Sequence, residues 1–279
     1  MLKNTFCHIP GVGAKSERKL WSRGILCWED VLSADNISLS KTSHFTLKMR
    51  VQESMENLDG RNPVFFGQRL HSADQWRLFP DFRESVAYLD IETNGRPGAE
   101  SSITTIALYD GNRLFHYVKG RNLHQFPRDI AKYTVVVTYN GKCFDVPVIE
   151  SFFGIKMPHA HIDLRYVLKS VGCTGGLKGC EKKLGLDRED LDGVDGYYAV
   201  LLWKDFKINR NEKALETLLA YNTLDAVNLE HLLVLACNMK LQDTPFSHTH
   251  RLALPPPFAN PFKAHKETIY EIRDLYGLW

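Results

Sequence analysis

Ser85–Ile91, with the sequence SVAYLDI, is the stretch that decides the fold. It is a short apolar run of strand length, and two carboxylates, those of Asp90 and Glu92, lie at its end. Side chains at positions i and i+2 of a β-strand point to the same face of a sheet. The stretch therefore predicts a buried strand that presents Asp90 and Glu92 side by side.

Two more strands follow this run along the chain. They are predicted at Ile103–Tyr109 (ITTIALY) and Arg113–Val118 (RLFHYV), which are rich in β-branched and aromatic residues. The dipeptide Asp110-Gly111 between them is typical of a hairpin turn. The sequence therefore predicts three strands joined by tight turns.

Helices and a further strand alternate after the hairpin. A helix is predicted around His124–Lys132, the β-branched run Thr134–Tyr139 (TVVVTY) indicates a buried strand, and a second helix begins near Pro147. Three strands followed by helix, strand and helix is the order of a ribonuclease-H-like domain. We therefore predict an α/β fold in which a ribonuclease-H-like mixed sheet is flanked by helices, with a small helical region at the N-terminus.

Asp90 and Glu92 are candidate metal ligands, because two neighbouring carboxylates repel each other unless a cation lies between them. Hard divalent cations such as magnesium prefer oxygen ligands of this kind. The alternative is an ordinary polar strand end. Asp145 carries a similar choice, since an Asp just ahead of a helix with Pro147 near its first turn is a common N-cap as well as a possible ligand. Both roles can coexist, with one oxygen for each.

The segment Glu212–Met239 indicates one long helix with a narrow apolar stripe. At about 100° per residue, the stripe consists of Leu218, Tyr221, Asp225, Leu229 and Leu232. A carboxylate in such a stripe is costly unless it is paired or bound to a metal. Asp225 is therefore either a metal ligand or the partner of a buried Arg or His. Tyr221, one turn earlier, is either its neighbour in a site or simple core filling.

The order of these motifs resembles the DEDD exonuclease superfamily in its tyrosine-containing subgroup. It consists of Asp-x-Glu on a first strand, Asp after a later strand and Tyr-x-x-x-Asp on a late helix, and Ala220 lies where the histidine subgroup would have His. Asn140-x-x-x-Phe144-Asp145 also resembles the family's second motif, which implies that Asn140 contacts nucleic acid. Within the ribonuclease-H-like proteins, the sequence is similar to the YprB-type family from about Val86 to Leu233, over half of the chain.

This resemblance implies a metal-dependent nuclease that removes nucleotides from single-stranded DNA or RNA in the 3′→5′ direction. It implies two Mg²⁺ or Mn²⁺ ions, about 4 Å apart, that bridge the scissile phosphate. The implied metal ligands are Asp90, Glu92, Asp145 and Asp225, and Tyr221 would orient the attacking water. The alternatives are a structure-specific endonuclease on the same fold and a non-catalytic nucleic-acid-binding module. The second alternative would have lost a ligand, whereas all four carboxylates are present.

Ile9–Gly13 (IPGVG), followed by a helix pattern up to Arg23, resembles a helix-hairpin-helix motif. In such motifs, backbone N–H groups at glycines and at a helix N-terminus hold a phosphate without reading bases. The resemblance implies that Gly11, Gly13 and Lys15 bind nucleic acid. The alternative is a Gly-rich turn between packed helices, because the stretch ahead of the hairpin has room for only a short helix.

Two further polar groups have ordinary structural explanations. His161 and Asp163 precede an apolar run, and a structural hydrogen bond is the favoured role for them. Lys178, Lys182 and Lys183 lie in a predicted short helix over Thr174–Leu186, where a solvated helix face is the favoured explanation over phosphate binding.

The chain is predicted to divide into four regions. They are a helical, hairpin-containing segment at 1–60, a linker at 61–83, the catalytic domain at 84–240, and a Pro-rich tail with a closing helix near Phe262–Tyr276 at 241–279. The Pro-rich part is either a partner site or packs along the domain in extended form.

Composition places the protein among globular proteins, with 44% hydrophobic and 24% charged residues and a net charge of +2 over 279 residues. No stretch approaches the roughly 20 apolar residues of a membrane span, and the first residues lack a signal-peptide pattern. The six cysteines form no Cys-x-x-Cys pair, so we expect reduced, mostly buried thiols and no zinc site. A cytoplasmic location with no membrane partner is therefore expected.

Overall fold

The computed structural model of the protein describes residues 1–96, 98 and 101–278. The strands in these residues are β1 (Val86–Thr93), β2 (Ile103–Tyr109), β3 (Leu114–Val118), β4 (Val135–Thr138) and β5 (Ala160–Asp163). They form one mixed sheet in the order β3-β2-β1-β4-β5, antiparallel from β3 to β1 and parallel from β1 to β5. The predicted mixed sheet is confirmed, and β1 lies at its centre.

Helices flank this sheet. Over the described residues they are α1 (Ala14–Trp21), α2 (Trp28–Ser33), α3 (His44–Asp59), α4 (Pro63–Gly67), α5 (Phe79–Phe82), α6 (Phe126–Ile130), α7 (Asp145–Phe153), α8 (Leu164–Ser170), α9 (Gly176–Lys183), α10 (Gly196–Asn209), α11 (Glu212–Leu241) and α12 (Lys266–Tyr276). Short 3-10 helices lie at Leu2–Asn4, Ser72–Leu78, Arg83–Ser85, Leu123–Gln125 and Glu189–Leu191. Helix and strand therefore alternate after β3 as the sequence predicts.

The hairpin between β2 and β3 has a clear local cause. Asp110 Oδ1 accepts hydrogen bonds from the N–H groups of Asn112 at 3.0 Å and Arg113 at 2.7 Å. Gly111 has a φ of +91°, which L side chains rarely adopt. Every residue of β2 is buried, because β2 has a strand on each side and α11 packs against it.

The long helix α11 begins where Asn211 caps it. The Asn211 Oδ1 atom accepts from the N–H groups of Lys213 at 3.1 Å and Ala214 at 3.4 Å. The helix packs against β1 and β2 on one side and against α8, α10 and α12 on others, so most of its residues are buried. Its middle portion therefore lies over the centre of the sheet.

The segment 61–83, expected to be a linker, is helical and packed. It forms α4, α5 and the 3-10 helix Ser72–Leu78, and Phe66, Trp76 and Phe79 in it are buried in one hydrophobic core with residues of the N-terminal region and of β1. Its elements are too short to show a helical period in the sequence, whereas its aromatic side chains supply enough apolar surface to hold it in place.

The N-terminal region joins the same core through polar contacts as well. Arg77 in the 3-10 helix makes two 2.8 Å hydrogen bonds to the carboxylate of Glu17 in α1, and both side chains are buried. Ahead of the Ile9–Gly13 turn, the structure has only the 3-10 turn Leu2–Asn4 rather than an α-helix.

The C-terminal tail packs along the domain in extended form, which is one of the two expected arrangements. Asn238 and Leu252 exchange two hydrogen bonds of 2.9 Å, and Asn260 Nδ2 donates to the carbonyl of Ala220 at 2.9 Å. The closing helix is α12. No helix in the described part of the chain has the length and apolar character that crossing a membrane requires.

Candidate active site

Three carboxylates meet where the end of β1 faces the middle of α11. They belong to Asp90, Glu92 and Asp225, and one oxygen from each lies within 4.8 Å of the others. Glu92 is 9% exposed and Asp225 is 5% exposed. Asp90 and Glu92 therefore lie side by side, as the strand pattern predicts. A third carboxylate, that of Asp225, joins them from a distant part of the sequence.

Two carboxylates of this group, those of Asp90 and Glu92, have a raised pKa. Burial, and after it the charge of Asp225, raises the pKa of Asp90 well above its usual value. Burial and Asp225 act in the same direction on the pKa of Glu92, and Lys178 and Arg188 offset part of the effect. Buried like charges of this kind are stabilised by a cation. Oxygen ligands at this spacing fit a hard divalent ion.

Asp145 lines the same cleft without belonging to that group of three. The cleft has a volume of about 300 Å³ and is lined by Asp90, Ile91, Glu92, Tyr139, Asn140, Phe144, Asp145, Gly175, Gly176, Leu177, Lys178, Tyr221 and Asp225. Asp145 is the first residue of α7 rather than its N-cap, a position held by Phe144. Burial raises the pKa of Asp145 to about 7, although hydrogen bonds to the backbone at Asp145 and Ile91 act against this.

The loop between β4 and α7 is held by Asp163. Its two carboxylate oxygens accept from the N–H groups of Asn140 at 2.8 Å and Lys142 at 3.1 Å. His161 Nε2 lies 2.8 Å from Thr138 Oγ1. Asp163 and His161 thus have structural roles, as the sequence favoured, and Asp163 also positions the loop that carries Asn140 into the cleft.

Lys178 corrects an expectation, because it is not on a solvated helix face. It is half-buried in the cleft, and its Nζ donates a 2.6 Å hydrogen bond to the hydroxyl of Tyr221. The reason is that α9 packs against α11, so that Gly176, Leu177 and Lys178 at its start line the cleft. Lys182 and Lys183 are exposed, as expected.

Sequence reasoning missed two residues that hold the carboxylates. Asn222 Nδ2 donates to Asp90 Oδ2 at 2.6 Å and to the Asp90 carbonyl at 3.1 Å. Arg188 Nη2 donates to Asp225 Oδ1 at 2.5 Å. Asp225 therefore pairs with a buried arginine, which is one of the two roles considered for it, and it also belongs to the carboxylate group. The sequence could have indicated Asn222, because it is a polar residue next to Tyr221 in a mostly apolar helix. No sequence pattern indicates Arg188.

The N-terminal hairpin lies apart from this cleft. Gly11, Gly13 and Lys15 are exposed, and none of them lines the cleft. Gly11 has a φ of +85°, and a Cβ there would come within 2.5 Å of Thr42 Oγ1, so packing alone requires this glycine. A Cβ at Gly13, just ahead of α1, would meet nothing within 4 Å.

A family model described as RNase H superfamily matches residues 87–237. The chain belongs to the RNase H superfamily. The matched residues run from β1 to near the end of α11, so they include the cleft carboxylates of Asp90, Glu92, Asp145 and Asp225. An RNase H-like fold with an acidic cluster of this kind fits a nuclease.

Within this superfamily, the chain is 28% identical over 222 residues to the uncharacterized protein YprB of Bacillus subtilis (strain 168). The alignment covers 70% of this chain and 52% of YprB, so the chain spans about half the length of the curated relative that it matches. The predicted similarity to the YprB-type family is confirmed. Among solved structures, the family B DNA polymerase from the hyperthermophilic archaeon Pyrobaculum calidifontis aligns over 60% of this chain and 27% of that chain, with 16% identity and a TM-score of 0.44.

Proposed function

We propose that this protein is a metal-dependent exonuclease that removes nucleotides from the 3′ end of single-stranded nucleic acid. The observation that carries the proposal is the meeting of Asp90, Glu92 and Asp225 within 4.8 Å in a cleft of an RNase H-like fold. A structural role alone does not account for three closely spaced carboxylates, two of which, Asp90 and Glu92, have a pKa well above the usual value.

The donor set fits magnesium or manganese. The candidate ligands are all carboxylates, and among the residues that the structure describes no cysteine or histidine lines the cleft. Asp90, Glu92 and Asp225 would hold the cations, and Asp145, which lines the same cleft, would complete their coordination. Two such cations supply charge neutralisation at a scissile phosphate and make a water more nucleophilic. By fixing the positions of these cations, the four carboxylates would align the scissile phosphate.

Tyr221 acts in this proposal as a positioning group that keeps its proton. Burial, and after it the charge of Asp225, raises the pKa of Tyr221 far above its usual value, which disfavours loss of the proton to a base. Lys178 already donates to the Tyr221 oxygen, so the hydroxyl proton is available to a water or a phosphate oxygen. Tyr221 therefore orients the attacking water by a hydrogen bond.

Two regions are proposed to contact the nucleic acid. Arg165 Nη1 holds Asn140 Oδ1 at 2.5 Å, which leaves the Asn140 amide N–H groups to donate to substrate beside the carboxylates. The exposed turn with Gly11, Gly13 and Lys15 is proposed as a second, sequence-independent contact with the phosphate backbone. A cytoplasmic location is proposed as well, because the six cysteines are free thiols, which fit a reducing compartment.

A cleavage assay tests this function. Single-stranded DNA and RNA, each labelled at the 5′ end, are incubated with Mn²⁺, Mg²⁺ or a chelator, beside the Asp90→Asn protein. Asp59→Asn, an exposed Asp at the end of α3, is the matched control. We expect a metal-dependent ladder that shortens from the 3′ end with the wild type and Asp59→Asn, and none with Asp90→Asn, which keeps its binding to the strand.

Three other outcomes contradict the proposal in different ways. Full activity of Asp90→Asn would remove the carboxylate group from the reaction. Internal cuts in a branched or duplex substrate without end shortening would indicate a structure-specific endonuclease. Binding of nucleic acid without cleavage of any substrate under any metal would indicate a binding module on the same fold.

A further inference from the structure

Arg188 lies between α9 and α10 and bridges two carboxylates that come from different elements. Its Nη2 donates to Asp225 Oδ1 at 2.5 Å, and its Nη1 donates to Glu181 Oε2 at 2.7 Å. All three side chains are buried, with side-chain exposures of 5% for Arg188, 0% for Glu181 and 7% for Asp225. The planar guanidinium suits a fixed bridge of this kind, because its donors point in set directions.

Glu181 is in turn fixed by the helix that carries Asp225. Asn228 Nδ2, three residues after Asp225 on α11, donates to Glu181 Oε1 at 2.8 Å. The side chains therefore form a closed path from Asp225 through Arg188 and Glu181 back to α11. Glu181 does not line the carboxylate cleft, so its contact with Arg188 acts on the cleft only through Asp225.

The bridge engages one of the two oxygens of Asp225. The pair with Arg188 uses Oδ1, which leaves Oδ2 for a cation. The guanidinium also lies 5.3 Å from the centre of the Tyr221 ring, so it packs beside both of the residues that α11 brings to the cleft. A rotation of the Asp225 side chain would break the Arg188 pair, and the pair therefore selects one orientation.

The charge of Arg188 has a second effect. Arginine stays protonated in proteins. Its positive charge neutralises part of the negative charge that draws a divalent cation to the group. Glu181 opposes this effect, because its own negative charge offsets that of the guanidinium. Arg188 and Glu181 therefore act with opposite sign on the attraction between the carboxylate group and a cation.

We propose that Arg188, anchored by Glu181, is a positioning residue that fixes the orientation of Asp225 and limits how tightly the carboxylate group binds a divalent cation. The inference rests on the proposed function, because it assigns the pair a role in metal binding at the same cleft. It goes beyond that function because it assigns a role to the guanidinium of Arg188, which binds one oxygen of Asp225 while the divalent ion binds the other.

Calorimetric titration of the full-length protein with Mn²⁺ at pH 8 tests the charge effect. We expect Arg188→Gln to bind Mn²⁺ roughly tenfold more tightly than the wild type and Glu181→Gln to bind it several-fold more weakly. A purely structural role of the bridge would weaken binding in both variants, because both would disorder Asp225. Lys182→Gln removes the same charge from an exposed position on α9 and should bind Mn²⁺ as the wild type does.

Arg188→Lys tests the positioning effect and does not depend on Arg188→Gln being folded. Lysine keeps the charge but has no planar fork to span two carboxylates. We expect Mn²⁺ affinity within about twofold of the wild type, with kcat lowered roughly tenfold and KM unchanged. Melting in chelator identifies any variant that is unfolded.

The outcomes separate this inference from the proposed function. If the wild type binds Mn²⁺ and cleaves nucleic acid while Arg188→Lys keeps its kcat, the positioning role is wrong. If Arg188→Gln and Glu181→Gln change Mn²⁺ affinity in the same direction or not at all, the charge role is wrong. If the wild type neither binds Mn²⁺ nor cleaves, the proposed function fails and this inference fails with it.

Discussion

The Asp90 carboxylate accepts a hydrogen bond and is also repelled by neighbouring negative charges. Asn222 donates two hydrogen bonds to Asp90, while Asp225 and Glu92 raise its pKa by their negative charge. A side chain in this position adds to function at the expense of stability, because the surrounding structure must keep it near its like-charged neighbours. Without a cation, the carboxylates of the cleft are therefore expected to make stability depend on pH.

The pH dependence follows from Asp145. Burial raises its pKa to about 7 in the folded protein, whereas an unfolded chain has a value of about 3.9. Between these values the folded state binds more protons than the unfolded state, so stability in chelator should fall as pH rises from about 4 to about 7. Thermal melts in chelator should be less pH-dependent for Asp145→Asn, and Mn²⁺ affinity of the wild type should rise through the same range. An Asp145→Asn protein with an unchanged pH profile would contradict this.

The substitution Tyr221→Phe tests the role of the Tyr221 hydroxyl separately from that of the ring. Tyr221→Phe keeps the ring that packs against Lys178 and Arg188 but loses the group that orients water. We expect kcat to fall by roughly tenfold to hundredfold with little change in strand binding. Tyr197→Phe, at an exposed position of α10, is the matched control for loss of a tyrosine hydroxyl. Wild-type turnover in Tyr221→Phe would remove Tyr221 from its assigned role.

The spacing of residues in the sequence indicates which carboxylates lie in the site. It does not indicate that Arg188 hydrogen-bonds to one of them. Asp90 and Glu92 are two apart on a strand, and Asp225 interrupts an apolar stripe, so each departs from a local pattern. Arg188 lies in the run Asp187-Arg188-Glu189-Asp190, which has the composition of a solvated loop. Its burial depends on the packing of α9 and α10 against α11, and no local pattern contains that information.

At the scale of elements, the turn between β4 and α7 decides where Asn140 and Asp145 lie. A Cβ on Gly141 would overlap Thr138 Oγ1, whose side chain also accepts from the Gly141 N–H at 3.0 Å. Gly141→Ala should therefore cost about 1–3 kcal/mol of stability and lower activity. In a Thr138→Gly background the same substitution should cost less, because all three side-chain atoms that it meets, Oγ1, Cβ and Cγ2 of Thr138, are gone. Equal costs in both backgrounds, measured by urea unfolding, would show that the clash is relieved in another way.

The elements differ in how far the sequence predicts them. β1, β2, β4 and α11 follow from apolar runs of the right length, and the Asp110-Gly111 turn follows from its residues. The helices of 61–83 were not predicted, because elements of four to seven residues contain too little periodicity. Their five buried aromatic side chains, at Phe65, Phe66, Trp76, Phe79 and Phe82, were the available signal.

For the molecule as a whole, the division into regions at residues 60 and 84 stays a prediction that truncation can test. Because residues 1–60 share one hydrophobic core with the sheet and pair Glu17 with Arg77, we expect residues 61–279 alone to lose cooperative thermal unfolding. Circular dichroism melts of the truncated and full-length proteins check this. A truncated protein with a cooperative transition and wild-type cleavage would mean that the N-terminal region is a separate domain.

The C-terminal tail contacts the N-terminal region, and these contacts affect how the chain folds during synthesis. His250 Nε2 lies 3.0 Å from Asn4 Oδ1, and the ring of Phe246 packs edge-on against that of Trp21. Phe246 and His250 are therefore synthesised more than 200 residues after Asn4 and Trp21, and at about 5–20 residues per second the wait is roughly 10 to 50 seconds. During that wait the apolar side chains of the N-terminal region have no complete core. We therefore expect the nascent chain to depend on chaperones more than the finished protein does.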